Sequence, residues 1–293
     1  MGWSKNTAMK NNPPFLWNCR DRVIQLGSQT HIMGILNTTP DSFSDGGLFL
    51  NPDQAASRAI EMIQQGATFI DIGGESSRPG AKPISTTEEL SRTLPVIQKI
   101  RETTDVLISI DTTKAQVAEA ALDAGAHIIN DISALEADPQ MVHVAEKFNA
   151  GVILMHRQGP PQQMQKNPTY SNVVSEICTY LTSRIQFCKN HGLHPNQLVI
   201  DPGIGFGKTV EHNVELLKKI NQFHQINRPL LIGASRKSFI GHLLNKAQPT
   251  SRLAGSLGVA AWATLQGAHI LRVHDIIETC DICSLLRIIS SDV

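Results

Sequence analysis

Asp111, Asn130, Asp201 and Lys237 lie far apart in the chain, yet each stands at or just beyond the end of a short apolar run rich in β-formers. A carboxylate accepts two parallel hydrogen bonds from an amino-pyrimidinone edge, while a carboxamide and an ammonium add donors. Together these residue types suit a nitrogen heterocycle. A second set, Arg78, Arg272 and His274, is rich in donors and positive charge. Arginine's planar fork matches phosphate oxygens, so this set suits a diphosphate. Taken singly, each residue has a plainer explanation. One polar group after a strand is ordinary turn chemistry, and a lone arginine is usually a solvated cation.

The elements that must carry these residues alternate regularly along the chain. Eight strand candidates run from His31–Leu36 through Thr68–Ile72, Val106–Ile110, His127–Ile129, Gly151–Met155, Leu198–Ile200 and Pro229–Ile232 to His269–Val273. Between and after them fall eight stretches with apolar spacing of three and four: Pro52–Gln65, Thr87–Thr103, Thr113–Ala124, Pro139–Phe148, Asn172–His191, Val210–Phe223, Thr250–Gln266 and Asp275–Ile289. Asn51-Pro52 and Asp138-Pro139 are plausible helix starts, and Gly66, Gly125, Gly192 and Gly267 plausible stops. Eight alternations favour a parallel (β/α)8 barrel over an open doubly wound sheet. All eight strand ends carry a polar or ionisable group, on the face where such barrels build their sites. Residues 1–18 read as a loosely attached extension, and residues 19–293 as a single barrel domain.

Composition narrows the classes of function. Lys plus Arg and Asp plus Glu are 26 each, so no global field draws the chain to nucleic acid or membrane. No apolar run approaches a membrane span, and the first residues lack a signal-peptide pattern or a myristoylation site. Five cysteines in no framework spacing fit a reducing cytoplasm. Cys280 and Cys283 form a CxxC inside a helical pattern and read as packed thiols. Gly203–Thr209 only approximates a phosphate loop, because Pro202 occupies the required first glycine position. It reads as a flexible loop carrying Phe206. No HExxH is present, and His31 and His127 read as structural.

Eight motifs occur in order: GILNTTPDSFSDGG (Gly34–Gly47), GGESSRPG (Gly73–Gly80), SIDTTK, INDI, LMHRQG, DPGIGFGK, GASRKS and RVHD. In these the chain resembles the bacterial dihydropteroate synthases, from about Phe15 to the C-terminus, in a form without a companion pyrophosphokinase domain. The resemblance implies a pterin-binding (β/α)8 barrel that condenses (7,8-dihydropterin-6-yl)methyl diphosphate with p-aminobenzoate. Asn37 is implied to help hold Mg2+ on the diphosphate, with Arg78, Arg272 and His274 around it. Asp111, Asn130, Asp201 and Lys237 are implied to line the pterin pocket, with Met155 and the flat face of Arg272 sandwiching the ring. Phe43, Ser77, Pro79, Phe206 and Ser238 are implied to shape the p-aminobenzoate site, where sulfonamides compete. Asp111, Lys237, Arg272 and His274 are the residues expected to carry catalysis. Ser77 stands where threonine is common, and Arg157 where methionine is frequent. The resemblance also implies a cytoplasmic homodimer formed by late helices, with Thr250–Gln266 as the expected contact. Two other functions remain open: a methyltetrahydrofolate-dependent methyl transferase and a non-catalytic pterin-binding barrel.

Overall fold

The computed structural model describes residues 14–39, 51–78 and 80–290. Phe43, Pro79 and most of the expected Thr38–Gly47 loop lie outside the described residues. The chain opens with an antiparallel hairpin, β1 (Phe15–Cys19) and β2 (Arg22–Leu26). Eight parallel strands follow: β3 (His31–Asn37), β4 (Phe69–Gly73), β5 (Leu107–Asp111), β6 (Ile128–Asp131), β7 (Gly151–Met155), β8 (Leu198–Asp201), β9 (Leu231–Ile232) and β10 (Ile270–Val273). Their lateral order is β8-β7-β6-β5-β4-β3-β10-β9. A parallel bridge between Ile200 and Leu230 joins the two ends of that sheet and closes the barrel. The helices are α1 (Pro52–Gln64), α2 (Thr86–Arg101), α3 (Ala115–Asp123), α4 (Met141–Lys147), α5 (Val173–Asn190), α6 (Val210–Lys218), α7 (Ser238–Leu244), α8 (Leu253–Leu265) and α9 (Ile276–Ser290). The (β/α)8 expectation is met, with α7 as an additional short helix.

Local chemistry explains the element boundaries. The Asn51 side chain accepts from Asp53 N at 2.9 Å and Pro52 opens α1. Ser85 caps α2 through Glu88 N, and Lys99 and Arg101 lie in its last turn. The expected helix to Phe223 ends earlier. α6 stops at Lys218, and Ile220–Ile226 continue as a 3-10 helix.

Strand alternation divides the core in two. Outward residues such as Ile70, Ile108, Ile129, Leu154 and Ile200 pack with the helices. Inward residues Met33, Phe69, Ile128, Ile153, Val199, Leu231 and Ile270 meet Trp17, Cys19 and Leu26 of the hairpin. The boundary expected after residue 18 therefore cuts through β1, and residues 15–18 are not a loose extension. Trp17 is fully buried and its indole N–H donates to Gln197 O at 2.8 Å, while Arg20 Nη1 donates to Leu122 O and Ala126 O. The hairpin plugs the amino-terminal end of the barrel, which leaves the carboxyl-terminal end for a site.

Candidate active site

The same alternation that points Phe69, Ile128, Val199 and Ile270 inward points Asp71, Asn130, Asp201 and Arg272 inward one layer higher. Register then brings them side by side. Gly73 pairs with Asp111, Asp111 with Asn130, and Met155 with Asp201. Asp131 takes the opposite direction. It accepts from Ser133 N at 2.7 Å, Ser133 Oγ at 2.6 Å and Leu135 N at 3.1 Å, fastening the turn after β6.

Arg272 is the hub of the inner layer. Its Nε donates to Asp71 Oδ2 at 2.6 Å and its Nη2 to Asp111 Oδ2 at 2.7 Å. Asn130 Nδ2 donates to the same Asp71 oxygen at 3.1 Å. Asp71 is fully buried, and its Oδ1 has no hydrogen-bond partner among the described residues. Burial opposes the charge on Arg272, but Asp71 and Asp111 outweigh it and raise its pKa. Burial pushes the Asp111 carboxyl up to about 7, with Arg272 pulling against it and Asp71 adding to the rise. Asp201 is also raised by burial, and its Oδ1 accepts from Gly203 N at 2.7 Å. Lys237 is pulled down to about 7 by burial, against the attraction of Asp201. Its ammonium donates to Ile204 O and stands 4.5 Å from the centre of the Phe206 ring.

Phe206 sits in a turn that departs from the expected flexible loop. A Cβ on Gly203, whose φ is +69°, would lie 1.8 Å from His156 O, and one on Gly207 would lie 2.5 Å from Gln158 O. Lys208 beneath this turn is buried and donates to Phe206 O at 2.9 Å, to His156 Nδ1 at 3.1 Å and, more weakly, to His156 O at 3.4 Å. The glycines thus serve close backbone packing.

The expected diphosphate set is only partly cationic. Arg78 is exposed on the loop after β4. His274 is driven down to about 3 by burial and by the charges of Arg236, Arg272 and Arg78, so it is neutral near pH 7. In the unliganded chain it would therefore meet a diphosphate as a neutral donor. Ser235 holds the ring in place: its Oγ accepts from His274 N at 3.3 Å and lies within hydrogen-bond distance of Nδ1 at 3.0 Å. Arg236, one residue on, is instead paired to Asp275.

Asn37 lies at the end of β3 beside Gly73, and Ser238 opens α7 as an exposed residue. Met155 is buried at the end of β7. A cavity of about 210 Å³ brings Ser77, Asp111, Thr112, Arg157 and Pro160 to one wall system. Three residues escaped the sequence reading of the site. Asp71 was visible as a strand-end carboxylate but not assigned to it. Lys208 belonged to the rejected phosphate-loop pattern, and Lys114 closed the SIDTTK motif without a role.

The described residues contain no helix long and apolar enough to cross a membrane. A family model described as "Pterin binding enzyme" matches residues 33–274. The dihydropteroate synthase of Escherichia coli (strain K12) is 48% identical over 254 residues, covering 87% of this chain and 89% of the relative. The Yersinia pestis dihydropteroate synthase, solved in complex with a sulfonamide drug, aligns with TM-score 0.90 and 44% identity over 95% of this chain and 100% of that one. The Xanthomonas albilineans dihydropteroate synthase, solved with 4-aminobenzoic acid, aligns with TM-score 0.90 and 37% identity over 96% of this chain and 100% of that one. With the match spanning most of the barrel, the chain belongs to the pterin-binding enzyme family and, within it, to the dihydropteroate synthases.

Proposed function

We propose that the carboxyl-terminal mouth of this barrel performs the condensation through the residues just described. The pterin methyl diphosphate and p-aminobenzoate enter, and 7,8-dihydropteroate and diphosphate leave. The observation that carries the assignment is the convergence of Asp111, Asn130, Asp201, Lys237 and Arg272 in one buried inner layer. Asp111, Asn130 and Asp201 read the amino-pyrimidinone edge, and Lys237 donates to a ring acceptor. Arg272, oriented by two carboxylates, supplies a flat cationic face opposite Met155.

The chemical step is substitution at a methylene carbon. The new C–N bond forms to the arylamine, the C–O bond to diphosphate breaks, and the amine proton passes to solvent. Ring nitrogens of the dihydropterin donate electrons toward the methylene, so the transition state is cationic and dissociative. An arylamine is neutral near pH 7, so Asp111 and Asp201 orient and stabilise charge rather than abstract protons. Arg78 and Arg272 neutralise the leaving diphosphate, and His274 donates a hydrogen bond to it.

The donor set suits Mg2+. Asn37 offers one neutral oxygen at the end of β3. Among the described residues no group of three or more His, Cys, Asp or Glu side chains is placed to hold a metal alone. Magnesium commonly takes few protein ligands and completes its shell with substrate phosphates and water. When bound, it would neutralise charge on the departing diphosphate.

The amine pocket is assigned to Ser77, Phe206 and Ser238, together with Phe43 and Pro79. The sulfonamide and 4-aminobenzoic acid in the two relatives support a shared pocket for substrate and drug. Five free thiols support the cytoplasmic assignment. A second copy of the chain is the proposed partner.

Diphosphate release that requires both organic substrates and Mg2+ tests the assignment. Arg78→Ala and His274→Ala should each lower kcat/KM at least about tenfold, or about 1.4 kcal/mol. Unchanged kinetics in both variants would remove them from the site.

A further inference from the structure

Lys114 lies three residues beyond Asp111, at the N-cap of α3. Its Nζ donates to Glu75 Oε2 and, at 2.5 Å, to Glu89 Oε2. These carboxylates belong to different elements: Glu75 to the loop after β4, and Glu89 to the first turn of α2. Glu75 Oε2 also lies 3.4 Å from Ile84 N, a weak bond that draws together the two ends of the segment bearing Ser77 and Arg78. Arg92 grips the same neck, its Nη1 donating to Gly74 O at 2.9 Å. Gly74 is pressed so closely on α2 that an added Cβ would lie 2.8 Å from Thr93 Cγ2. The neck is therefore held tightly, whereas Arg78 farther along is exposed.

Glu89 is 1% exposed and its Oε1 has no hydrogen-bond partner among the described residues. Without Lys114 it would be a buried carboxylate without a counter-ion, facing Glu75. Removing one member of a buried ion pair leaves the remaining charge uncompensated. The cheapest relief is for Glu75 to move away, because it is on a loop and partly exposed while Glu89 is on a packed helix. Such a movement would carry Ser77 and Arg78 with it. We infer that Lys114 is a positioning residue, clamping the Glu75–Ile84 segment so that Ser77 and Arg78 face the strand end bearing Asp111.

This inference rests on the residue assignments proposed above, and the test separates the two. Lys114→Met should raise the KM for p-aminobenzoate at least about tenfold. The Kd of a pterin lacking the diphosphate, measured by calorimetry, should change by less than about threefold. A residue that merely supported the fold would lower the active fraction or affect both ligands alike. Adding Glu75→Gln to Lys114→Met should recover much of the amine KM, because it removes one of the opposed charges. Glu75→Gln alone should raise that KM mildly and leave pterin binding unchanged; if Lys114→Met fails to fold, this single variant carries the comparison. Equal effects on both ligands, or no effect on amine KM in a folded variant, would overturn the clamp. A wild-type chain that releases no diphosphate with both substrates and Mg2+ would instead overturn the catalytic assignments.

Discussion

The inner layer holds ionisable groups whose useful charge states meet near neutral pH. Burial pushes Asp111 up to about 7 and Lys237 down to about 7. Asp111 feels the charges of Arg272, Asp71, Glu89 and Asp131, and Lys237 those of Asp201, Arg272 and Asp111. In the proposed assignment, pterin recognition needs Asp111 ionised and Lys237 protonated. Acidification through the Asp111 value removes an acceptor, and alkalisation through the Lys237 value removes a cationic donor. The kcat/KM for the pterin substrate should therefore trace a narrow bell centred near pH 7, since this ratio reports ionisations of the free enzyme. Asp111→Asn should flatten the acid limb. A plateau from roughly pH 5.5 to 8.5 would reject this pairing of charge states. Much of the inner layer was legible in the sequence, because the two-residue strand period places Asp111, Asn130, Asp201 and Arg272 on one face. The neutral state of His274 was not, because it depends on burial and on Arg78, Arg236 and Arg272 from separate segments. Lys208 was equally hidden, as its acceptors are carbonyls and an imidazole assembled only by folding.

At the scale of elements, all eight barrel strands were readable to within two residues at each end because they are apolar runs with polar ends. β9 is the shortest, with Leu231–Ile232 in regular pairing where Pro229–Ile232 was expected. α7 is seven residues long, too short to show much helical periodicity. The β1–β2 hairpin was missed for a different reason. Its turn uses Arg20 at φ +62° rather than the glycine or asparagine that usually marks such a position. Arg20 is held there by donation to Leu122 O and Ala126 O, contacts invisible locally. The hairpin's contribution can be measured. Trp17→Ala would empty a fully buried site against Phe69 and lose the bond to Gln197 O. Urea unfolding should show a loss of about 3–5 kcal/mol, as for other large aromatic truncations in cores. A loss under about 1 kcal/mol would mean that the plug contributes little to stability. The variant's substrate KM values should stay close to those of the parent under conditions where both are folded, since Trp17 is at the opposite end of the barrel from Asp111 and Lys237.

The whole barrel buries its inward and helix-facing residues but leaves large apolar side chains uncovered on its late helices. Leu243 and Leu244 on α7, Trp262 on α8, and Ile277, Leu285 and Ile289 on α9 are each at least 43% exposed. Isolated exposed apolar residues are ordinary, whereas a concentration on neighbouring helices marks an interaction surface. α8 is suited to close approach, with Gly255, Gly258 and several alanines along it. A Cβ added at Gly258 would meet nothing within 4 Å, so its surface is open in the single chain. Trp262 is half-anchored already: its indole N–H donates to Leu217 O at 2.7 Å while part of the ring remains exposed. Such a side chain gives a partner a rigid aromatic surface without first requiring it to be ordered. The formal charge of zero offers little long-range repulsion between copies. Light scattering at micromolar concentration should therefore give twice the 32.0 kDa chain mass. Gly258→Arg, which places a long cation on the open side of α8, should shift the species toward monomer while preserving the fold by circular dichroism. A monomeric wild-type chain would reject the dimer, and an unaltered dimer in the arginine variant would move the contact away from this part of α8.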